Sequence, residues 1–345
     1  MENIKLYRNK KKALRAYIYP ITNYKVDNPY LNNFINSLNC DIYFVNRNSP
    51  SNIGILNLLK YLNKRLHYSF FHWLEDLPDK KFGLIQCYIL VYMILPLLRI
   101  KKTTIIWTLH NKLSHAPSNI RIKKWLASKL VKQADIILTH SNEGRIFIEN
   151  LNKNSGKKVL VYHHPVGNLN LPKSNIKKET DLLIWGTVLQ YKGVYEFISE
   201  FIKESSLNKR RILIAGKIPD YEYYNKLSNI NSNQLIIRNE FIEHDELILL
   251  MHQSKAVLFT YKNKSVLSSG ALMDSLVTGS KIIAPPVGAF NDLAKLGLVN
   301  TFNKIDEIEG LLRQEENQNR LQVLKAFCKK NSWKSFGKEF LKEIT

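Results

Sequence analysis

The stretch NKSVLSSGALMDSLVTGSKIIAPP, Asn263 to Pro286, follows directly on an apolar run ending VLFTY. Ser268, Ser269 and Gly270 open a helix expected to reach about Val277. Free N–H groups at such a start, with the positive end of the helix dipole, bind phosphate. Asp274 lies one turn on, where a carboxylate accepts hydrogen bonds from ribose hydroxyls. The same letters also suit an ordinary serine cap ahead of a polar helix. A second stretch, DLLIWGTVLQYKGV, runs an apolar strand into Gly186 and Thr187 and places Lys192 before the next helix. Lys192 is either a point charge for a diphosphate or a solvated surface lysine. In a third, TIIWTLHNKLSHAP, His110 ends an apolar strand. There a ring nitrogen meets a substrate hydroxyl, or the histidine is structural. No Asp-x-Asp pair follows a strand, and the His and Cys spacing offers no zinc site. Cys40, Cys87 and Cys328 are far apart and odd in number, which argues for a reducing, cytosolic setting.

Positioning these residues falls to alternating short β-branched runs and longer helical patterns, the signature of parallel sheets built from βαβ units. Strands are expected at 13–19, 41–45, 68–72, 103–109, 136–140 and 159–162, then at 182–185, 212–215, 235–237, 256–260 and 281–284. Helices are expected at 32–38, 121–132, 143–151 and 194–203, with starts marked by Asn28-Pro29, Ser141 and Asp245. The polar stretch VGNLNLPKSNIKKET, Val166 to Thr180, reads as a linker. The expected organisation is an α/β chain of two Rossmann-like domains, 1–165 and 181–325, facing across a cleft, with a helical tail at 326–345. Ligands in such sheets bind outside the carboxyl ends of the strands. The tail WKSFGKEFLKEI is amphipathic, with Trp333, Phe336, Phe340 and Leu341 on the face that packs back on the core.

The 345 residues carry 51 Lys+Arg against 29 Asp+Glu, a net charge of +22, and are 45% hydrophobic. The chain is therefore globular, and its surface should be drawn to polyanions: nucleic acid, anionic lipid or phosphorylated substrates. Met1 to Lys12 is polar and basic, without the apolar core of a secretory signal. From Phe82 to Leu98 the chain carries no charge, with Lys80, Lys81, Arg99, Lys101 and Lys102 at its flanks. Gln86 and Pro96 interrupt the run and both flanks are basic, so a helix lying in the membrane interface fits better than one that spans.

Taken together, WTLHN, YKG and SSGALMDSLVTG resemble the GT-B nucleotide-sugar glycosyltransferases of the group-1 type. FFHWLEDLP and DNPYLNNF are similar to acceptor-domain elements of members that assemble bacterial surface polysaccharides. HHPVGN is similar to their domain junction, and FIEHDELILLMHQSKAVLFTY to their base-binding loop, helix and strand. The resemblance implies that His110 is the catalytic histidine facing the sugar. It implies a donor site of Gly186, Thr187, Lys192, Phe241, Ile242, Ser268, Ser269, Gly270 and Asp274. Acceptor contacts would come from Asp27, Asn28, Tyr30, His72, Asn111 and His115, with Asp27 a candidate general base. Three departures stand out: Val266 replaces the first acid of the family's spaced pair, Thr187 or Leu189 its arginine, and Asp274 its second glutamate.

The resemblance thus implies a glycosyltransferase that needs neither metal nor cofactor. It would move a sugar from a nucleoside-diphosphate sugar to a polyprenyl-linked or growing surface glycan, on the inner face of the plasma membrane. The missing acid at Val266 leaves an inactive glycosyltransferase-like partner as the alternative. A nucleic-acid-binding module is disfavoured, because the basic residues are spread along the chain and no standard reading motif is present.

Overall fold

The computed structural model describes residues 14–21, 29–113, 118–152, 158–172, 176–204, 209–261, 265–315 and 317–345. Asp27, Asn28 and His115 lie outside the described residues. The chain divides into two units, Met1–His163 with Trp333–Thr345, and His164–Ser332.

The first unit forms β1 (Leu14–Tyr19), α1 (Tyr30–Leu38), β2 (Ile42–Phe44), β3 (Tyr68–His72), α2 (Gly83–Ile100), β4 (Thr104–Leu109), α3 (Ile120–Gln133), β5 (Ile136–Thr139), α4 (Asn142–Leu151) and β6 (Lys158–Val161). Two 3-10 helices, Gly54–Tyr61 and Leu74–Asp79, precede β3 and α2. The second unit forms β7 (Thr180–Trp185), α5 (Val194–Phe201), β8 (Ile212–Ala215), α6 (Tyr221–Ser228), β9 (Leu235–Arg238), α7 (His244–Gln253), β10 (Ser254–Leu258), α8 (Gly270–Val277), β11 (Ile282–Ala284), α9 (Gly288–Ala294), β12 (Asn300–Thr301), α10 (Glu307–Arg313) and α11 (Arg320–Lys330). The last helix, α12 (Trp333–Ile344), returns to the first unit.

Each unit holds a six-stranded parallel sheet, ordered β2-β1-β3-β4-β5-β6 in the first and β12-β11-β10-β7-β8-β9 in the second. Helices cover both faces of such sheets, so central strands are apolar throughout rather than alternating. β4, TIIWTL, is buried from Ile105 onward. Strand order reverses between β1 and β3, and again between β7 and β10. The carboxyl ends at those two reversals are where ligands of open α/β sheets sit.

Three sequence expectations are revised. The stretch 166–180 is not a free linker: Val166 is buried in the core of the second unit, Asn170 N–H donates to Val277 O, and Lys178 Nζ donates to His252 O and Ser254 O. Among its described residues, the Lys178 side chain and the Asn170 backbone N–H satisfy carbonyls of that unit. Asp245 is not the cap of α7. Glu243 stands there, and Asp245 lies in the first turn, where its charge suits the helix dipole. The tail is split: α11 places Leu324, Phe327 and Cys328 in the second unit's core, while α12 packs Phe336 and Phe340 on α1 and β3. Gly337 permits that packing, since a Cβ there would stand 2.2 Å from Ser37 O.

α2 is continuous but irregular, with a π-helical turn at Leu90–Ile94. Pro96, two residues beyond it, has no N–H to return to the preceding turn, and the helix absorbs that loss as a local bulge. By length and composition α2 could cross a membrane. Its inner face packs Cys87, Leu90, Val91, Ile94, Leu95 and Leu98. Gln86 does not interrupt the apolar face: it is buried, its Oε1 accepting from Ile55 N–H and its Nε2 donating to Lys81 O.

Candidate functional site

In the first unit, His110 follows β4 at the strand's carboxyl end. Its ring stacks on Trp73 at 4.2 Å between centroids and 12° between planes, and takes the edge of Tyr30 at 4.8 Å. Trp73 reaches this position from a left-handed backbone, φ 50°, a conformation that non-glycine residues adopt at a cost and mainly where the surroundings impose it. His110 Nε2 lies 3.0 Å from Nδ1 of His72. His72 is fully buried, and desolvation lowers its pKa to about 3, so it is neutral at physiological pH. Its Nε2 is buried without a partner. An unpaired lone pair costs less there than an unpaired N–H, which places the His72 proton on Nδ1, donating to His110 Nε2. In a neutral His110 that assignment leaves the proton on Nδ1, making the ring a hydrogen-bond donor.

His72 and Tyr30 were expected to touch an acceptor directly. Both are buried instead: His72 sits against His110, and the Tyr30 hydroxyl lies 2.7 Å from Nε2 of His140. They position the His110 ring rather than meet a ligand. Asn111 anchors the same turn through its N–H.

That anchor is Glu75, a residue sequence reasoning passed over. Its Oε1 accepts from His110 N–H (3.1 Å) and Asn111 N–H (2.9 Å), while Oε2 is buried without a partner. Burial, with Asp76 adding to it, raises the carboxyl to about 8 against those bonds, so the group is protonated at neutral pH. The folded pKa lies above the ordinary 4.5, so Glu75 favours folding at low pH and loses that contribution as pH rises between about 4.5 and 8. Glu75→Gln keeps the acceptor oxygen and removes the titration. Urea unfolding across this range should show the variant gaining stability relative to wild type as pH rises. A difference independent of pH would contradict the protonated carboxyl.

In the second unit the loops after β7 and β10 meet at the strand-order reversal. Gly186 turns the chain at φ +86°, and Gly216, after β8, must be glycine because a Cβ would stand 2.3 Å from Gly186 O. Lys192 Nζ donates to Thr187 O at 2.6 Å, and burial lowers its pKa to about 8. Thr260 Oγ1 donates to Lys192 O, Tyr191 stacks on Tyr261, and Tyr261 OH lies 3.2 Å from Ser269 Oγ. This chain of contacts ties the Lys192 loop to the start of α8.

α8 begins as expected, with Ser269 at its cap position. Yet no side chain caps it: the Ser269 hydroxyl is turned to Tyr261, and Ser268 Oγ is buried with no partner. Gly270 faces open space. Uncapped N–H groups, an orphan hydroxyl and open space are the features that favour an anion at a helix start. Trp185 Nε1 donates to Ser275 Oγ at 2.9 Å and holds α8 on the end of β7.

Asp274 stands on the exposed side of α8. The surrounding chain raises its pKa to about 6, with His244 acting in the opposite sense. Phe241 is 58% exposed, with Lys217 Nζ over its ring at 5.9 Å. Ile242, expected beside it at a base, is buried in the core instead. Val266 is also core, so the position that would carry the first acid has no room for a solvated carboxylate. A separate cavity of about 450 Å³ beside Thr260 is lined by Glu196, Glu200 and Glu204, and that charge is unsuited to phosphate.

No family profile matches the chain, and no curated protein matches it in sequence. Solved structures do. HepE of Anabaena, in complex with UDP-glucose, superposes with a TM-score of 0.65 over 96% of this chain and 98% of its own, at 9% identity. A glycosyltransferase of Rickettsia africae gives 0.62 at 13% identity, covering 96% and 98%. The fold is GT-B. TarM, at a TM-score of 0.57 and 10% identity, shares it across 81% of this chain, which spans 54% of TarM's length; for the GtfA/B structure that share is 60%. Both units therefore have their counterparts in HepE.

Proposed function

We propose that this protein is a glycosyltransferase that moves a hexosyl group from a nucleoside-diphosphate sugar to a lipid-linked or growing surface glycan. The observation that carries the reading is the uncapped start of α8, with the buried Ser268 hydroxyl and Lys192 held at the same sheet reversal. The α8 N–H groups and Lys192 hold the diphosphate as its bond to the anomeric carbon breaks, Asp274 takes the ribose hydroxyls, and Phe241 stacks on the base. The acceptor hydroxyl oxygen bonds to the same carbon, and its proton passes to the departing diphosphate. Charge that develops on the leaving diphosphate is met by these fixed donors, and no metal is called for. In the first unit, His110 donates to the sugar from a ring fixed by Trp73, Tyr30, His72 and Glu75. Calorimetry with uridine, guanosine, cytidine, adenosine and thymidine diphosphates tests the donor assignment. One of the five should bind at one site per chain, and binding by none would refute it.

The membrane belongs to the same proposal. Phe82, just before α2, and Leu84, Ile85, Tyr88, Tyr92, Met93 and Ile100 of α2 are exposed. Tyr88 and Tyr92 pack against Trp125 of α3, with Lys129 Nζ 5.9 Å from the Tyr92 ring. Apolar side chains edged by Tyr, Trp and Lys suit a bilayer interface, where rings sit at headgroup depth. Each basic residue near an anionic surface contributes about 1 kcal/mol. Lys80, Lys81, Lys101 and Lys102 changed together to Glu should release the folded protein from anionic vesicles in co-sedimentation. Equal pelleting of both proteins, or binding by neither at any salt concentration, would contradict the membrane reading and favour a protein contact on this face. The location that follows is cytoplasmic, peripheral to the plasma membrane.

A further inference from the structure

In the second unit β8 lies between β7 and β9, all three parallel. The loop after β8 therefore stands between the loop that carries Lys192 and the loop that carries Phe241. Lys217 sits in that middle loop, with its backbone fixed from both sides. Val188 N–H donates to Lys217 O at 2.8 Å, and the next N–H, of Ile218, donates to Asn239 Oδ1 at 2.8 Å. Gly216, just before it, is packed against Gly186 O too closely for a Cβ. The backbone of Lys217 is held in place while its side chain stays exposed.

The ammonium is held far more loosely. Nζ rests 5.9 Å from the centroid of the Phe241 ring, at the outer limit of about 6 Å for a cation–π contact. Two neighbouring acids, Asp220 on its own loop and Glu240 beside Phe241, are bonded elsewhere. Asp220 accepts from Gln190 Nε2 and from Tyr223 N–H at the start of α6, and Glu240 accepts from Arg238 Nε and Nη2. Among the described residues, the ring is the contact that the Lys217 ammonium makes. A base that stacks on Phe241 takes the place above the ring and leaves Lys217, on its flexible four-carbon stem, at the base's rim. An ammonium donates and cannot accept. There it pairs with a ring carbonyl, and it meets an amino group donor to donor.

We propose that Lys217 selects the base of the donor, favouring one with a carbonyl at this edge, as in uracil, thymine and guanine, over one with an amino group there, as in cytosine and adenine. The assignment rests on the glycosyltransferase reading above and deepens it by naming the class of donor nucleotide. Lys192 and the start of α8 take the phosphates, which are alike in every donor. Lys217 meets the part that differs.

The test is calorimetry on the full-length protein with matched diphosphates: uridine against cytidine, and inosine against adenosine. Within each pair a carbonyl at the edge is exchanged for an amino group. In whichever pair binds more tightly, the carbonyl member should lead by about tenfold, the worth of one well-placed donor to a base. Lys217→Met keeps the length of the stem without the charge and should remove most of that lead. Lys217→Glu presents an acceptor instead and should reverse the order. Lys192→Ala, in contrast, should weaken both members of a pair alike. Both Lys217 variants should unfold at the wild-type temperature, because the side chain is exposed. Equal affinity within the pair in wild type, or a lead unchanged in Lys217→Met, overturns the assignment while the donor reading stands. So does an equal loss of both members in Lys217→Met, which would put the ammonium on the phosphates. Wild-type protein that binds no nucleoside diphosphate removes the donor reading and the assignment with it.

Discussion

His110→Ala is expected to lower kcat by roughly 10²–10⁴-fold with little change in donor affinity. The ring is held on four sides: stacked on Trp73, edged by Tyr30, bonded to His72 and carried on a turn whose N–H groups bind Glu75. Such constraint fixes the direction of one ring nitrogen, which matters for a donor aimed at a developing charge and little for a side chain that merely fills space. Losing one oriented donor costs on the order of 10²–10³ in rate, and a proton-transfer role extends that to the upper end of the range. The check is steady-state kinetics with thermal unfolding in parallel. Normal turnover with reduced stability would make His110 a core residue and nothing more.

Lys192→Ala is expected to weaken nucleoside diphosphate binding by about 1.5–3 kcal/mol, roughly 10–150-fold, as for a hydrogen bond between charged partners. Its ammonium donates to Thr187 O, which keeps it at the mouth of the β7 loop. Burial lowers its pKa to about 8. Binding a diphosphate favours the charged form. Affinity should therefore hold below about pH 8 and decline as pH rises through it, and the decline should vanish in Lys192→Ala. Calorimetry across this range reads both effects. Unchanged affinity for every nucleoside diphosphate that binds wild type would remove Lys192 from the site.

Why some of this was legible in the chain and some was not has a physical basis. Buried parallel strands read as continuous apolar runs, so FFH and IIWTL disclosed their positions, and Tyr68–His72 and Ile212–Ala215 agree to the residue. β12 escaped because two residues, Asn300 and Thr301, carry no pattern. The helix start at Ser269-Gly270 was readable from a strand followed by small polar residues, but its lack of a cap was not. That depends on Tyr261 drawing the Ser269 hydroxyl aside. Nothing in LEDLP sets Glu75 apart from its neighbours. It is buried because Trp73 turns left-handed before it and the His110 turn closes over it, a contact across 35 residues. The apolar excess of α2 was plain, whereas the contact of Lys217 with Phe241 is one that only the fold makes.

The most direct test of the account is donor turnover: wild-type protein incubated with a panel of nucleotide sugars, with and without EDTA, following release of the nucleoside diphosphate. One sugar nucleotide should be consumed with EDTA present, and consumption should fall by roughly 10²–10⁴-fold in His110→Ala. Tight nucleotide binding with no turnover of any donor, even with an isoprenoid-linked acceptor supplied, would contradict the account and identify the chain as a catalytically inactive relative.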